Sequence, residues 1–396
     1  MIIKTIYHCF LFGFMSLYIL PLNADARQDD NEKTNLNIVQ KELEPEELLN
    51  VGILIFDPNI SEIDEDNNFF EIRKAEANYL PYHLKMTLEQ SGHWGGIWVL
   101  PNPSRVTDLV IVGKILQSDG LNVRLKIGIW DLTGKQWINK EYRNEIKLSA
   151  YSKRRDRSQD PYQVIFNSIA NDMVEIRNTF PVSNLKRIEE IGEIRYANEI
   201  LPGLYNNYLV KEKEIYQAIK LPADNDTMIN KVRDVKEREL LMLDTVNEHY
   251  GQAYQNIIFP YAEWRKISRE SAIIYDDLKR SGRIRKALGA AILIGAIASD
   301  GNSNASRSIQ NMGVYAGMQA IQSGMAVSKT ADGYKEKISE STNAFNDEVQ
   351  PINIQLEGQT IRLTGNADEM FTQWRVLLKS IYIDETGLNS LKSSTN

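Results

Sequence analysis

Apolar and polar positions alternate most strictly between residues 109 and 144. "DLVIVGKIL", "LNVRLKIGIWD" and "QWINKEYRN" each place aliphatic or aromatic residues at about every second position, which predicts three strands with one buried face. Ser118, Asp119 and Gly120 fill the first gap, and Thr133 and Gly134 fill the second, so the three strands form an antiparallel meander. Upstream, the apolar run in "NVGILIFDPN" (50 to 59) predicts a buried strand. "FEIRKAEANYLPYHLKMTLEQSG" (70 to 92) reads as a helix with Pro81 as a kink or a new first turn, and "GIWVLP" as another strand. The order is β-α-β-β-β-β.

After this unit the period changes to that of a helix. "DPYQVIFNSIANDMVEIRNTF" (160 to 180) predicts an amphipathic helix over one face of the sheet, with Asp160 as N-cap and Pro161 at its first position. From Pro181 to Lys286 the pattern is helical and strongly charged, with Pro202, Pro222 and Pro260 between helices, which predicts an all-α middle region. Within it, Tyr250, Tyr254, Phe259, Tyr261 and Trp264 read as the packed seam between two helices. Near the end, "INIQLEGQTIRLTG" alternates around a turn at Glu357 to Gln359 and predicts a hairpin. The following helix opens with Asn366 and Glu369 at capping-box spacing and sets Met370, Trp374, Leu377, Leu378 and Ile381 on one face. A β-β-α unit of this size needs the rest of the chain, or a partner, to bury that face.

Residues 286 to 329 follow neither pattern. On a helical wheel Ala287, Ala291, Gly295 and Ala298 fall within about 80° of one another, with large aliphatic residues on the remaining sides. Gly313, Gly317, Ala320 and Gly324 make a second small-residue stripe, and "SDGNSNAS" (299 to 306) is the turn between the two helices. Each helical glycine costs about 1 kcal/mol relative to alanine, so the stripes predict close helix packing or self-association. The apolar core from Ala287 to Ala298 would be about 18 Å long, well short of the roughly 30 Å hydrocarbon layer. Three readings stay open: the buried hairpin of a soluble domain, an oligomerisation hairpin, and a device that enters a membrane within an assembly.

The expected fold class is therefore α+β. It comprises a small α/β sheet domain (48 to 180), a helical region (181 to 285), a Gly/Ala-rich apolar helical hairpin (286 to 329) and a β-hairpin plus helix unit (350 to 390). The 396 residues, 42% hydrophobic and 25% charged, have room for two or three domains. The opening "MIIKTIYHCFLFGFMSLYILPLNADA" joins Lys4, an apolar run and the triplet Ala24, Asp25, Ala26, which is the pattern of a signal peptide over 1 to 26. An uncleaved anchor is the rival reading. Residues 27 to 47 are polar without periodicity and predict a flexible leader.

Candidate chemistry changes this picture little. Cys9 is the only cysteine and lies in the segment expected to be removed, which leaves the mature chain without disulfides or thiol chemistry. Lys and Arg number 46 against 53 Asp and Glu, for a net charge of −7 with no basic block, so no nucleic-acid partner is expected. His83, His93 and His249 lack zinc-binding spacing, and His249 reads as structural. "GIWDLTGKQ" (128 to 136) fails as a phosphate loop, and "DGNSNA" (300 to 305) fails as a calcium loop because Ala305 takes the glycine position. No catalytic, cofactor-binding or metal-binding residue is singled out.

The strand "VGILIFDP", the helix ending in "LEQSGHW", the "VLP" strand, "DLVIVGKIL" and "IGIWDLTGKQW" together resemble a known small α/β domain. It is the domain shared by the amino-terminal part of the Tol-system protein TolB, the curli-secretion lipoprotein CsgG and penicillin-binding-protein activators of the LpoB type. The likeness covers about a quarter of the chain and implies a fold and a compartment more than an activity. The rest of the chain resembles uncharacterised exported proteins of Gram-negative bacteria. The expectation is a non-enzymatic protein, periplasmic or associated with the outer membrane, that acts as a binding or assembly component. Its partners would be envelope proteins, with homo-oligomer formation or membrane contact through 286 to 329 as further options. A pore-forming envelope protein and an enzyme of unrecognised type are the alternatives.

Overall fold

The computed structural model describes residues 34–60, 70–152, 160–223, 225–288, 333–340, 343, 352–356 and 359–386. The segment read as a signal peptide, with Cys9, lies outside these residues. So do Ala291, Gly295, Gly313, Gly317, Ala320 and Gly324 of the small-residue stripes, while Ala287 is described only as backbone near the end of a helix.

The strict alternation of residues 109 to 144 becomes three antiparallel strands, β3 (Leu109–Ser118), β4 (Asn122–Asp131) and β5 (Gln136–Glu145). The shorter apolar runs become β1 (Val51–Leu54) and β2 (Ile97–Leu100), both connected to the sheet in parallel, and the strand order is β2-β1-β3-β4-β5. The parallel pairing of β1 and β2 requires a crossover, which α1 (Phe70–Ser91) supplies with Pro81 inside it. Gly120 (φ 80°) and Gly134 (φ 95°) take the left-handed positions at the two meander turns.

Period two sorts the strands into two faces. Ile111, Ile115, Val123, Leu125, Ile127 and Ile129 are fully buried and form the main core with α1 and α2 (Gln163–Arg177). A second core joins Val99 and Leu100 of β2 to α3 (Val182–Ile200), α4 (Thr227–Leu288) and α5 (Ala367–Glu385). With 62 residues, α4 would be about 93 Å long at 1.5 Å per residue. It unites both cores, with Val246 and Tyr250 in the second and Tyr254, Tyr261 and Trp264 in the first.

Several expectations need correction. The leader is a strap from Thr34 onward: Asn37 N–H donates to Asn171, Asn167 and Asn171 donate to the Thr34 and Asn35 carbonyls, and Val39 N–H donates to the Ser91 carbonyl. The middle region is not wholly helical, because β6 (Leu209–Glu212) and β7 (Ile215–Ala218) form a hairpin. Its turn puts Lys213 and Glu214 at positive φ without a glycine, so the usual marker is missing. Pro260 lies inside α4 instead of ending it, and Phe259 is exposed while the other four aromatics of that cluster are buried.

The carboxy-terminal unit forms as expected. β8 (Ile352–Leu356) and β9 (Gln359–Leu363) pair antiparallel, and Asn366 and Glu369 make the reciprocal capping box. Met370, Trp374, Leu378 and Ile381 are buried against the rest of the chain.

Candidate functional site

The densest gathering of ionisable and hydroxyl groups is sealed beneath the sheet. Asp160 was expected to cap α2, but α2 starts at Gln163 and no side chain caps it. The Asp160 carboxylate instead receives both terminal nitrogens of Arg265 from α4, at 2.8 and 2.7 Å, and the Tyr79 hydroxyl at 2.7 Å. Arg265 is fully buried, with the rings of Tyr261, Tyr162 and Tyr79 at 4.0, 4.5 and 5.8 Å from its guanidinium carbon. Burial alone would raise the Asp160 carboxyl, but Arg265 overrides it and holds the group well below the usual carboxylate range.

Two further chains extend from this pair. His83 Nε2 lies 2.8 Å from Gln163 Oε1, an acceptor, so Nε2 carries the proton and Nδ1 accepts from the Tyr254 hydroxyl at 2.7 Å. Burial pulls the His83 imidazole below its ordinary value, against the pull of Asp160. On the other side Glu76 accepts from Ser118 and Tyr261, and Tyr162 shares Ser118 at 3.0 Å. Burial pushes the Glu76 carboxyl up, with Arg73 opposing. Gly120 presses the β3–β4 turn against α4 so closely that a Cβ there would collide with the Arg265 carbonyl oxygen. These groups clamp α4 to the α/β domain, and of their buried atoms Glu76 Oε2 and Arg265 Nε are left without a hydrogen bond.

A second buried cluster does the same for the other core. Glu239 of α4 accepts from Ser104 at 2.7 Å and from Tyr196 at 2.8 Å, and Arg375 of α5 bridges Glu239 and Glu199. Burial raises the Glu239 carboxyl, with Arg375 opposing.

The sheet face opposite α1 and α2 is different. The tripeptide Gly-Ile-Trp occurs twice, at 96–98 and 128–130, and the two isoleucines enter the core. The two tryptophans lie in one cross-strand row on the other face, Trp98, Gly52, Val110, Trp130. Each indole folds over its own glycine, for a Cβ on Gly96 or Gly128 would run into the ring. The Trp98 indole donates to Asp244 of α4 at 2.7 Å. No hydrogen bond or ring contact to the Trp130 indole is present among the described residues. Beyond it come Val112, 40% exposed, then Lys114 opposite Lys126, then Arg124 opposite Arg143.

A shallow depression of about 510 Å³ is lined by Val39, Lys41, Leu43, Leu48, Gly92 and Trp94. Among the described residues no group of three or more His, Cys, Asp or Glu side chains is placed to hold a metal ion. No helix among them is long and apolar enough to cross a membrane.

Of His83, His93 and His249, the first belongs to the buried network, while the other two stand apart from it. Asp160 and Arg265 escaped the sequence because they are 105 residues apart, and a lone arginine in a charged helix reads as solvated. The chain matches no protein-family model, no curated protein and no solved structure.

Proposed function

We propose that the protein is a non-enzymatic binding or assembly component of the cell envelope, and that its α/β domain presents the outer face of β3, β4 and β5 to a partner. One observation carries this reading: the convergent titratable groups are enclosed and paired with one another, whereas the outer sheet face leaves Val112, Arg124, Lys126 and Arg143 exposed and Trp130 and Lys114 half-buried. A reacting group needs access to substrate, and Asp160, Glu76 and Arg265 have none. The envelope location rests on the signal-peptide pattern of residues 1 to 26 and on the resemblance of the β1 to β5 region to envelope domains. Self-association through the Gly/Ala-rich stretch rests on its two small-residue stripes, toward which α4 runs.

The test is affinity purification of the full chain from cross-linked envelopes, followed by mass spectrometry of both partners' cross-linked peptides. Cross-links from Lys114 or Lys126 to one recurrent envelope protein support the reading. A chain that is recovered alone, and remains in the cytoplasmic fraction, contradicts it.

A further inference from the structure

Lys114 stands directly opposite Lys126, and Arg124 directly opposite Arg143, and like charges in such cross-strand positions repel. Three acidic groups lie near. Asp57 pairs with Lys114 at 3.4 Å, Glu141 pairs with Arg124 at 2.8 Å, and Glu145 ends β5 beside Asn122. The β4–β5 register also sets Glu141 directly opposite Lys126, yet neither Lys126 nor Arg143 closes an ion pair among the described residues, and the Lys126 ammonium reaches the Asn139 carbonyl at 3.5 Å. Glu141 is correspondingly held below its ordinary value, by its hydrogen bond from Arg124 and by the charges of Arg124, Arg143 and Lys126. Beside these cations lies an apolar shelf of Val112 and the Trp130 ring, laid flat on Gly128.

We infer that this face docks an acidic segment of a partner protein, whose carboxylates meet Lys126 and Arg143 while an apolar side chain covers Val112 and Trp130. This rests on the binding-component reading and names the chemistry of its partner. Charge complementarity selects the partner class, and the shelf demands an apolar residue within the acidic run.

The probe is a fluorescein-labelled twelve-residue peptide of glutamates with two central leucines, followed by fluorescence anisotropy with the full mature chain. The expected result is saturable binding that weakens as salt rises, and that falls at least about tenfold in the double variant Lys126→Glu/Arg143→Glu. Trp130→Ala should weaken it as well, while Lys186→Glu/Lys379→Glu, on exposed helical sites elsewhere, should not. Circular dichroism establishes that each variant is folded. Equal binding by Lys126→Glu/Arg143→Glu and the parent chain overturns the inference. So does binding to phosphatidylglycerol vesicles through the same residues without binding to the peptide. If the envelope cross-links find a partner on another surface, the binding-component reading stands and only this inference falls.

Discussion

Asn247 of α4 makes to Val99 of β2 the two hydrogen bonds that a further strand would make: its Oδ1 accepts from the Val99 N–H at 2.8 Å, and its Nδ2 donates to the Val99 carbonyl at 3.0 Å. One edge of the sheet is thereby closed by a side-chain amide. The other edge, β5, has no strand beyond it among the described residues and carries Lys140, Glu141, Arg143 and Glu145, charges that discourage edge-to-edge pairing. Replacing Asn247 with Leu leaves a buried N–H and a buried carbonyl unsatisfied, which should cost about 2 to 4 kcal/mol. Urea denaturation checks it, and a loss below about 0.5 kcal/mol would show that water replaces the amide.

The Asp160–Arg265 pair should be costly to break and cheap to replace. Arg265→Met leaves the Asp160 carboxylate buried and uncompensated, for a loss of about 3 to 5 kcal/mol. Adding Asp160→Leu to that variant should recover much of the loss, because the desolvation of both charges is removed together. Additive losses in the double-mutant cycle would mean that the two residues are not coupled.

Gly120→Ala sets a methyl group against the Arg265 carbonyl at a position with φ 80°. The expected loss is about 1 to 3 kcal/mol. Gly203→Ala, also at positive φ but with only the Asn206 amide nearby, should cost less. Equal thermal shifts for the two would remove the close approach of the β3–β4 turn to α4 from the account.

Stability should also fall on acidification through His83. Its native value lies below the ordinary 6.5, so near and below that pH the unfolded chain binds a proton that the native chain refuses. The contribution is fully present above 6.5 and is lost as pH drops, with a slope of up to about 1.4 kcal/mol per pH unit. Asp160, Arg265, Gln163, Tyr254 and Tyr79 surround the ring, and Asp160 stays ionised throughout this range. Urea midpoints between pH 8 and pH 5.5 should therefore converge for the parent chain and His83→Gln as pH falls. Curves that stay parallel would exclude His83 as the source.

These elements differ in how far the sequence showed them. The meander was legible because alternation, Gly120 and Gly134 all point to the same register, and the capping box at Asn366 and Glu369 because both partners lie within one turn. The β6–β7 hairpin was hidden by a turn of Lys213 and Glu214, residues that give no turn signal. Asn247, Arg265 and Glu239 were hidden for another reason. Each is a polar residue in a charged helix whose partner is distant along the chain, and only the packing of α4 across both cores brings the partners together. The outer face stood in between: Lys114, Arg124, Lys126 and Arg143 were visible as the polar half of the alternation, but their opposition as like-charge pairs depends on register.

The most direct test of the docking face replaces Val112 with a photoreactive benzoylphenylalanine in living cells and compares it with the same residue at Val376, an exposed position on α5. The expected result is a discrete adduct with another protein from position 112, absent from 376 and lost when Lys126→Glu/Arg143→Glu is added. No adduct from 112, an adduct within the chain itself, or equal adducts from both positions would contradict it.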